Sequence, residues 1–542
     1  MMTSKLFRLW HTLRWLKPVQ FYGRVWFRLS RPRPDVSPAP LRRTASAAWV
    51  RCARAASMTG PNAMRFLGVE RELLVAGDWN RADWPKLWLY NAHYFDDLVA
   101  DEAPVRTRWH RDLIRRWVAE NAPGRGNGWE PYPSSLRIVN WVKWVLGGNK
   151  LEPTAVHSLA VQARYLRQRL EIHLLGNHLW ANAKALVFAG AFFEGDEAEA
   201  WLRKGTALLE RELVEQFLPD GGHFERSPMY HSILLEDVLD LLQLNRVYPG
   251  VLSSALVAAL HTGAGSMLRW LRVMTHPDGD IALFNDAAFG IAPSLVSLEA
   301  YADGLGISPD CTPLASLEVL EASGYVRMSK GPAVLIADVG RVGPDYLPGH
   351  AHADTLSFEL SLHGRRVLVN GGTSTYETGP LRLRQRGTAM HNTVEVDGQD
   401  SSEVWGSFRV ARRALPMNVR CFEDGGTLVL EGAHHGYARL PGKVVHSRRW
   451  ELSADGLAVV DVLSGKPRTA VGRFRFAPGF DTTSSAGNRV AGGDVHVAWQ
   501  VSGADTVWVP DAWYPRFGEE HPCRVLECTM AAGHTTTEFS WT

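Results

Sequence analysis

Hydrophobic positions along this chain change their period once. From about Trp84 to Leu317 apolar residues recur at helical spacing. In "SSLRIVNWVKWVLGG", Leu136, Val139, Val142 and Val145 fall roughly along one side, and Gly147-Gly148 ends the run. "LLEDVLDLLQLNRVYPG" keeps the same rhythm up to Pro249-Gly250, and further helices are predicted at 154–171, 178–193, 197–217 and 253–274. Near Ser323 the texture turns to short alternating runs broken by Gly, Asp and Asn, such as "GYVRMSKGPAVLIADVG", "KVVHSRRWELSADGLAVVDVLSG" and "VHVAWQVSG". Alternation of that kind predicts antiparallel β structure in stacked sheets. The pattern thus divides the chain into a basic, aromatic-rich segment 1–60, a helical domain 61–320 and an antiparallel β domain 321–542. Helix–loop–helix succession at this length suggests a toroid or solenoid of hairpins, and the junction of the two halves is the expected cleft.

Composition narrows the classes. A chain of 542 residues exceeds what one core holds, so two or more domains are expected. A net charge of +2 argues against a bulk nucleic-acid binder. The 21 Trp and 13 Tyr supply flat surfaces that stack on sugar rings, although most belong in the core of large helical domains. Charge is uneven: residues 1–51 carry eleven Lys or Arg against the single acid Asp35. The stretch "KLFRLWHTLRWLKPVQFYGRVWFRLSRPRP" reads either as a basic amphipathic helix on a membrane surface or anionic polymer, or as the outer helix of the helical domain, the second being favoured. With no secretory h-region and no run of eighteen apolar residues, the expected location is cytoplasmic or peripheral to the inner membrane. Cys52, Cys311, Cys421, Cys523 and Cys528 form no metal motif; Cys523 and Cys528 are the one pair that export would bring into question, and reduced thiols are the default.

Polar groups out of keeping with their surroundings mark the candidate chemistry. In "GHAHADTLSFEL", Leu356, Phe358 and Leu360 read as one buried strand face, and His350, His352 and Asp354 continue the same parity. Two such histidines suit satisfied hydrogen bonds, a metal or catalysis. Asn177 and His178 open an otherwise apolar helix, where Asn177 also suits an N-cap. Glu225, Arg226, Tyr230 and His231 crowd another helix entrance in "GGHFERSPMYH". Trp129, Tyr132, Arg137 and Asn140 in "GWEPYPSSLRIVNW" suit a carbohydrate groove.

Taken together with "GTAMHNTVEVDG", these motifs resemble the heparinase II/III family of polysaccharide lyases over roughly Leu87 to Arg413, in the family's order and with its approximate spacings. The resemblance implies an incomplete (α/α) toroid followed by an antiparallel β-sandwich domain. It implies β-elimination on a uronic-acid-containing polysaccharide, an anionic substrate, with Asn177, His178, Tyr230 and His350 as catalytic residues. Abstraction of the C5 proton requires that the uronate carboxylate be neutralised by donors such as Asn177 and a histidine. Tyr230 serves one or both proton transfers with His178 or His350; as a base it needs a cationic neighbour, Arg226 or a protonated histidine, to lower its pKa from ~10. On the substrate side the resemblance places Tyr376, with Arg384 and Arg386 set to meet anionic groups; Arg409, Arg412 and Arg413 suit an acidic polymer or a solvated loop.

Metal-binding members of the family hold zinc through positions that here are His352, Asn370 and His391. Asn370 departs from the family's carboxylate and is a poor zinc ligand, leaving Asp354 as the substitute. No other cofactor is implied. Competing functions are a non-catalytic acidic-polysaccharide-binding protein and a uronate C5-epimerase, while the missing signal peptide suggests a cell-surface polysaccharide assembly system.

Overall fold

The computed structural model describes residues 2–307, 312–481 and 488–541. Its first part is helical: α1 (Met2–Leu13), α2 (Pro18–Leu29), α3 (Lys86–Tyr94), α4 (Thr107–Glu120), α5 (Pro131–Leu146), α6 (Pro153–Gln168), α7 (Gly176–Phe192), α8 (Asp196–Gln216), α9 (Pro228–Val247), α10 (Ser254–Val273) and α11 (Leu295–Gly304). The periodicity placed α6, α7, α8 and α10 to within a few residues. What it did not show is which helix is central. Every residue of α7 except His178 is buried, the mark of a helix surrounded by others. It packs on α5, α6, α8 and α9. In α5 only Tyr132 and Leu136 escape full burial, so Leu136 leaves the apolar side read for it and faces the cleft instead.

The segment after α2 is not a separate unit. It runs extended across the far ends of the central helices, and its amides supply donors to their last carbonyls: Arg43 N to Phe192 O (2.8 Å), Ser46 N to Val247 O and Trp49 N to Leu146 O (both 3.0 Å). These are the acceptors that a helix C-terminus leaves orphaned.

Two antiparallel sheets follow. One path of strands runs from Ala504–Trp513 through His521–Met530, Ala470–Phe476, Arg365–Leu368, Phe358–Leu362, Ala333–Asp338 and Tyr325–Lys330 to Leu317–Leu320, with Val394–Val396 also on Ala470–Phe476. The other comprises Pro416–Asp424, Thr427–His434, Val445–Leu452, Gly456–Ser464, His534–Trp541, Val495–Ser502 and Arg489–Gly492 in that order. Their inner faces share one core in which Phe358, Leu360, Phe474 and Phe476 of the first meet Trp450, Val459, Phe539 and Trp541 of the second. A further core of Trp270, Val273 and Phe284 against Tyr325 and Ile336 joins helices to sheet.

One reading is corrected, and the default of reduced thiols is kept by the described cysteines. The strand expected to lead in from His350 begins only at Phe358, because Leu356 turns to φ +65°, outside any strand geometry. His350, His352 and Asp354 therefore stand in a loop. Cys523 and Cys528 lie five positions apart on one strand, hence on opposite faces, and both are free thiols, as are Cys52 and Cys421. Cys311 falls outside the described residues.

Candidate active site

A cleft of about 1240 Å³ opens where the helices meet loops of the sheet-rich part, among them those carrying His350, Tyr376, Phe408 and Phe517. Three helices turn a stripe toward it at helical spacing: Tyr132, Leu136 and Asn140 of α5, Asn177, His178 and Ala181 of α7, and Tyr230, Ile233 and Asp237 of α9. At its floor Lys184 pairs with Asp237 (2.5 Å) and, together with Lys143, with Asp240.

Asn177 does not cap α7. The cap position is Leu175, followed by Gly176 at φ +55°, where an added Cβ would stand 2.4 Å from Leu347 Cδ2 and 2.6 Å from Glu225 Oε1. Asn177 Nδ2 donates to both oxygens of Glu225 at 3.0 Å, and its backbone N–H points at the same carboxyl (3.4 Å). The buried Glu225 thus sits at the positive end of the helix. His178 stacks obliquely on Tyr132 with ring centres 4.5 Å apart, and its Nδ1 lies 3.2 Å from Glu171 Oε1. Burial alone would lower its pKa, but Glu171 first and Glu225 next carry it above the ordinary histidine value.

Across the cleft the His350 ring lies 4.0 Å from that of Tyr230. His350 Nδ1 faces Asp286 Oδ2 at 2.9 Å, while Nε2 points inward, 3.8 Å from Glu225 Oε2. Asp286 also holds His352 Nε2 (2.8 Å) and is gripped on both oxygens by Arg382, one contact being 2.6 Å. Burial works against its charge, but Arg382 first and the two imidazoles next keep its carboxyl well below the usual carboxylate range. An anionic Asp286 takes the Nδ1–H of His350 and leaves the Nε2 lone pair for the cleft. Tyr230 Oη is 3.2 Å from Tyr376 Oη. Burial, then Tyr376, pushes the Tyr230 phenol well above its ordinary pKa, so it holds its proton.

Of the residues singled out by sequence, Tyr132, Asn140, Asn177, His178, Glu225, Tyr230, His350, Tyr376 and Arg409 line the cleft. Four others are turned away from it. Arg226 donates to the carbonyls of Arg341 and Ala322, so it does not lower the pKa of Tyr230. Arg137 is spent on Gln162 and the carbonyls of His93 and Gly128, Trp129 packs with Trp117 in the core, and Arg384 pairs with Asp511. Arg386, buried, donates to Ala351 O and braces the histidine loop from behind. Sequence reading missed Asp286, Arg382 and Glu171. The signal for Asp286 was an acid inside the apolar run "IALFNDAAFGIAP", costly unless paired.

The metal cradle also differs from expectation. His352, Asp354 and His391, all buried, each bring a donor atom within 4.8 Å of the others. His352 Nδ1 and His391 Nε2 have no protein partner among the described residues. Asn370 is not a fourth ligand of the kind expected: its Oδ1 lies 3.3 Å from His391 Nδ1, which orients that ring. Burial first lowers the pKa of His352 to about 4 and that of His391 well below its ordinary value, keeping both rings in the neutral form a metal requires. Two orphaned imidazole nitrogens beside a carboxylate fit zinc.

Residues 151–309 match the family model described as heparinase II/III N-terminus, and residues 312–542 the model of the heparinase II/III-like C-terminal domain. A heparin-sulfate lyase of Bacteroides thetaiotaomicron is 24% identical over 303 residues, 49% of this chain and 41% of that protein. FtsZ-localized protein C of Caulobacter vibrioides is 28% identical over 341 residues, 60% of this chain and 55% of its own. The chain thus spans about half or less of the length of these curated relatives. Among solved structures, heparinase III aligns with a TM-score of 0.68 at 18% identity, covering 86% of this chain and 79% of that one. The heparan sulfate lyase HepC from Pedobacter heparinus aligns with a TM-score of 0.56 at 17% identity, covering 96% and 87%. At such identities the likeness is one of fold.

Proposed function

The chain belongs to the heparinase II/III-like family, and from that footing we propose that it is a polysaccharide lyase, cleaving a uronic-acid-containing chain by β-elimination. The observation that carries the reading is the convergence of Asn177, Glu225, Tyr230 and His350 from opposite walls of one cleft. In the same reading the helical part is an incomplete (α/α) toroid and the two sheets a β-sandwich.

The chemistry runs as follows. A uronate carboxylate entering beside Asn177 accepts from its amide, a donor that otherwise serves Glu225. Neutralising that carboxylate acidifies the C5–H. His350 Nε2 takes the C5 proton, the C4=C5 double bond forms, the C4–O4 bond breaks, and the Tyr230 phenol, kept protonated by burial, gives its proton to the leaving O4. Proton return from His350 to Tyr230 through solvent restores the site. His178, raised in pKa beside Glu171, supplies a further donor at the sugar.

Charge along the cleft speaks to the substrate. Lys86 pairs with Glu130 (3.0 Å), Arg54 with Asp96 (3.3 Å), and Lys143 and Lys184 with the aspartates of the floor. Cations so occupied are not free to meet sulfate esters, which favours low sulfation on the sugar they surround, whereas Arg24 and Arg409 also line the cleft and have no ion pair among the described residues, so an anionic group can be met there. We place it in a cell-surface polysaccharide assembly system, acting on chains under construction. His352, Asp354 and His391 would hold a zinc ion, which when bound supplies a structural staple for the loop that carries His350.

The test is incubation with a panel of uronate polymers, followed by the ultraviolet absorbance of a 4,5-unsaturated uronate. A lyase raises it; C5 hydrogen exchange with solvent without absorbance marks an epimerase, and neither signal marks a binding protein. Tyr230→Phe is expected to lower kcat by roughly a hundredfold to ten-thousandfold while oligosaccharide binding persists. Wild-type rates in that variant would remove Tyr230 from the mechanism.

A further inference from the structure

We infer that the hairpin of α1 and α2 is a docking surface for an anionic lipid bilayer, against which it lies flat. Its amphipathicity is inverted relative to a helix that merely covers a core. The face of α2 against the body is small and partly polar: Gln20 donates to Tyr346 O (3.1 Å), Gly23 sits so close that an added Cβ would be 3.0 Å from His173 Cβ, and Phe27 packs on the His173 ring. The face turned outward carries Phe21, Tyr22, Val25, Trp26 and Leu29, with Trp26 64% and Leu29 75% exposed. On α1, Leu6, Phe7 and Trp10 are exposed likewise. Among the described residues, both of the exposed large-apolar tryptophans and most of the exposed phenylalanine and tyrosine rings lie in these two short helices.

Charge selects the occupant. Lys5, Arg8, Arg14 and Arg28 flank this apolar strip, and no acid precedes Asp35. Basic side chains around exposed Trp, Phe and Leu are the pattern of an interfacial helix held by apolar insertion and by attraction to anionic headgroups. Two helices of 12 residues each suit that role; among the described residues no helix is long and apolar enough to cross a membrane. The hairpin is fixed to the body rather than dangling, through Lys17 to Glu215 (2.5 Å) and Trp405 Nε1 to Thr12 Oγ1 (3.1 Å). Its inner side, at Leu9, Leu13, Leu16 and Arg24, is also a wall of the cleft. Docking therefore sets the mouth of the cleft beside the headgroups, within reach of a glycan tethered to lipid; this last consequence rests on the lyase reading, whereas docking itself does not.

The experiment is cosedimentation of the full chain with vesicles of phosphatidylcholine alone and of phosphatidylcholine mixed with phosphatidylglycerol. The expected result is binding to the mixed vesicles that weakens as salt rises, and at least about a tenfold loss of that binding in Trp10→Glu/Trp26→Glu. These two side chains lie outside the cleft, so the thermal unfolding midpoint and any turnover on soluble polymer should stay at wild-type values. Equal sedimentation with both vesicle types, or unchanged binding by the double variant, overturns the proposal. So does a dimer in solution that the double variant converts to monomer, since the occupant would then be a second copy of the chain. Vesicle binding by a protein without elimination activity would sustain the docking and sink only the lyase reading.

Discussion

Asp286 is wholly buried and still anionic because Arg382 grips both its oxygens, and that one carboxylate orients His350 and His352. Asp286→Asn keeps the shape but removes the charge that holds the Nδ1–H tautomer of His350. We expect kcat to fall by about a hundredfold to ten-thousandfold with KM little changed, and urea unfolding to show a loss of about 3–5 kcal/mol from the stranded Arg382. An equal loss of stability without the kcat effect would limit Asp286 to a structural part. Buried histidines give a second residue-scale expectation. Burial lowers His231 to about 4, and burial with Arg137 lowers His93 to about 3, from an unfolded value near ~6.5. Above that value neither state is charged. As pH falls below it the unfolded chain binds protons the folded chain refuses, so stability drops steadily down to the folded values. The urea midpoint should be lower at pH 5 than at pH 7, and His231→Gln, though less stable at pH 7, should lose less over that interval. None of this was readable at Asp286 itself, since an isolated acid in the sequence carries no sign of which cation will neutralise it.

At the scale of elements, helices were legible and the histidine loop was not. The 3.6-residue period survives in α6, α8 and α10 because each buries a continuous stripe. The alternation through His350, His352, Asp354 and Leu356 imitates a strand, yet these residues form a loop tied to Asp286 and to Arg386. Parity in sequence cannot tell a strand from a coil whose side chains are held by ligands from elsewhere. If that loop is stapled by metal, the purified protein should contain zinc in near-stoichiometric amount. His391→Ala should contain less and unfold at a lower temperature, and chelated wild type should approach it. A zinc-free wild type whose unfolding midpoint does not respond to added zinc would dismiss the staple.

At the scale of the whole molecule, the lyase reading makes specificity depend on what the cleft leaves unpaired, which among its described cations includes Arg24 and Arg409. Arg54, Lys86, Lys143 and Lys184 are tied to carboxylates along the groove. An incoming sulfate would have to break such a pair and strand a buried acid. The expected outcome is a kcat/KM on an unsulfated uronate polymer at least roughly tenfold that on its heavily sulfated counterpart, about 1.4 kcal/mol in transition-state binding. A preference for the sulfated chain would mean that the lysines change partners on binding. The basic N-terminal stretch shows the same lesson: its composition favoured the outer helix of the helical domain over a surface-binding helix, and it carried no sign that Trp10 and Trp26 would stand exposed.

Local periods and the order of motifs sufficed for what depends on neighbours in the chain. They yielded a helical half, a sheet half, the family resemblance, and Asn177, His178, Tyr230 and His350 as the residues to watch. Tertiary structure alone decided what depends on distant partners: that Glu225 and not solvent receives the Asn177 amide, that Asp286 and Arg382 orient His350, that Arg137 and Arg226 are spent on carbonyls, and that Asn370 faces the His391 ring. The physical reason is that hydrophobic periodicity is set by which face of an element is buried, whereas the charge, tautomer and aim of a polar side chain are set by groups tens to hundreds of residues away.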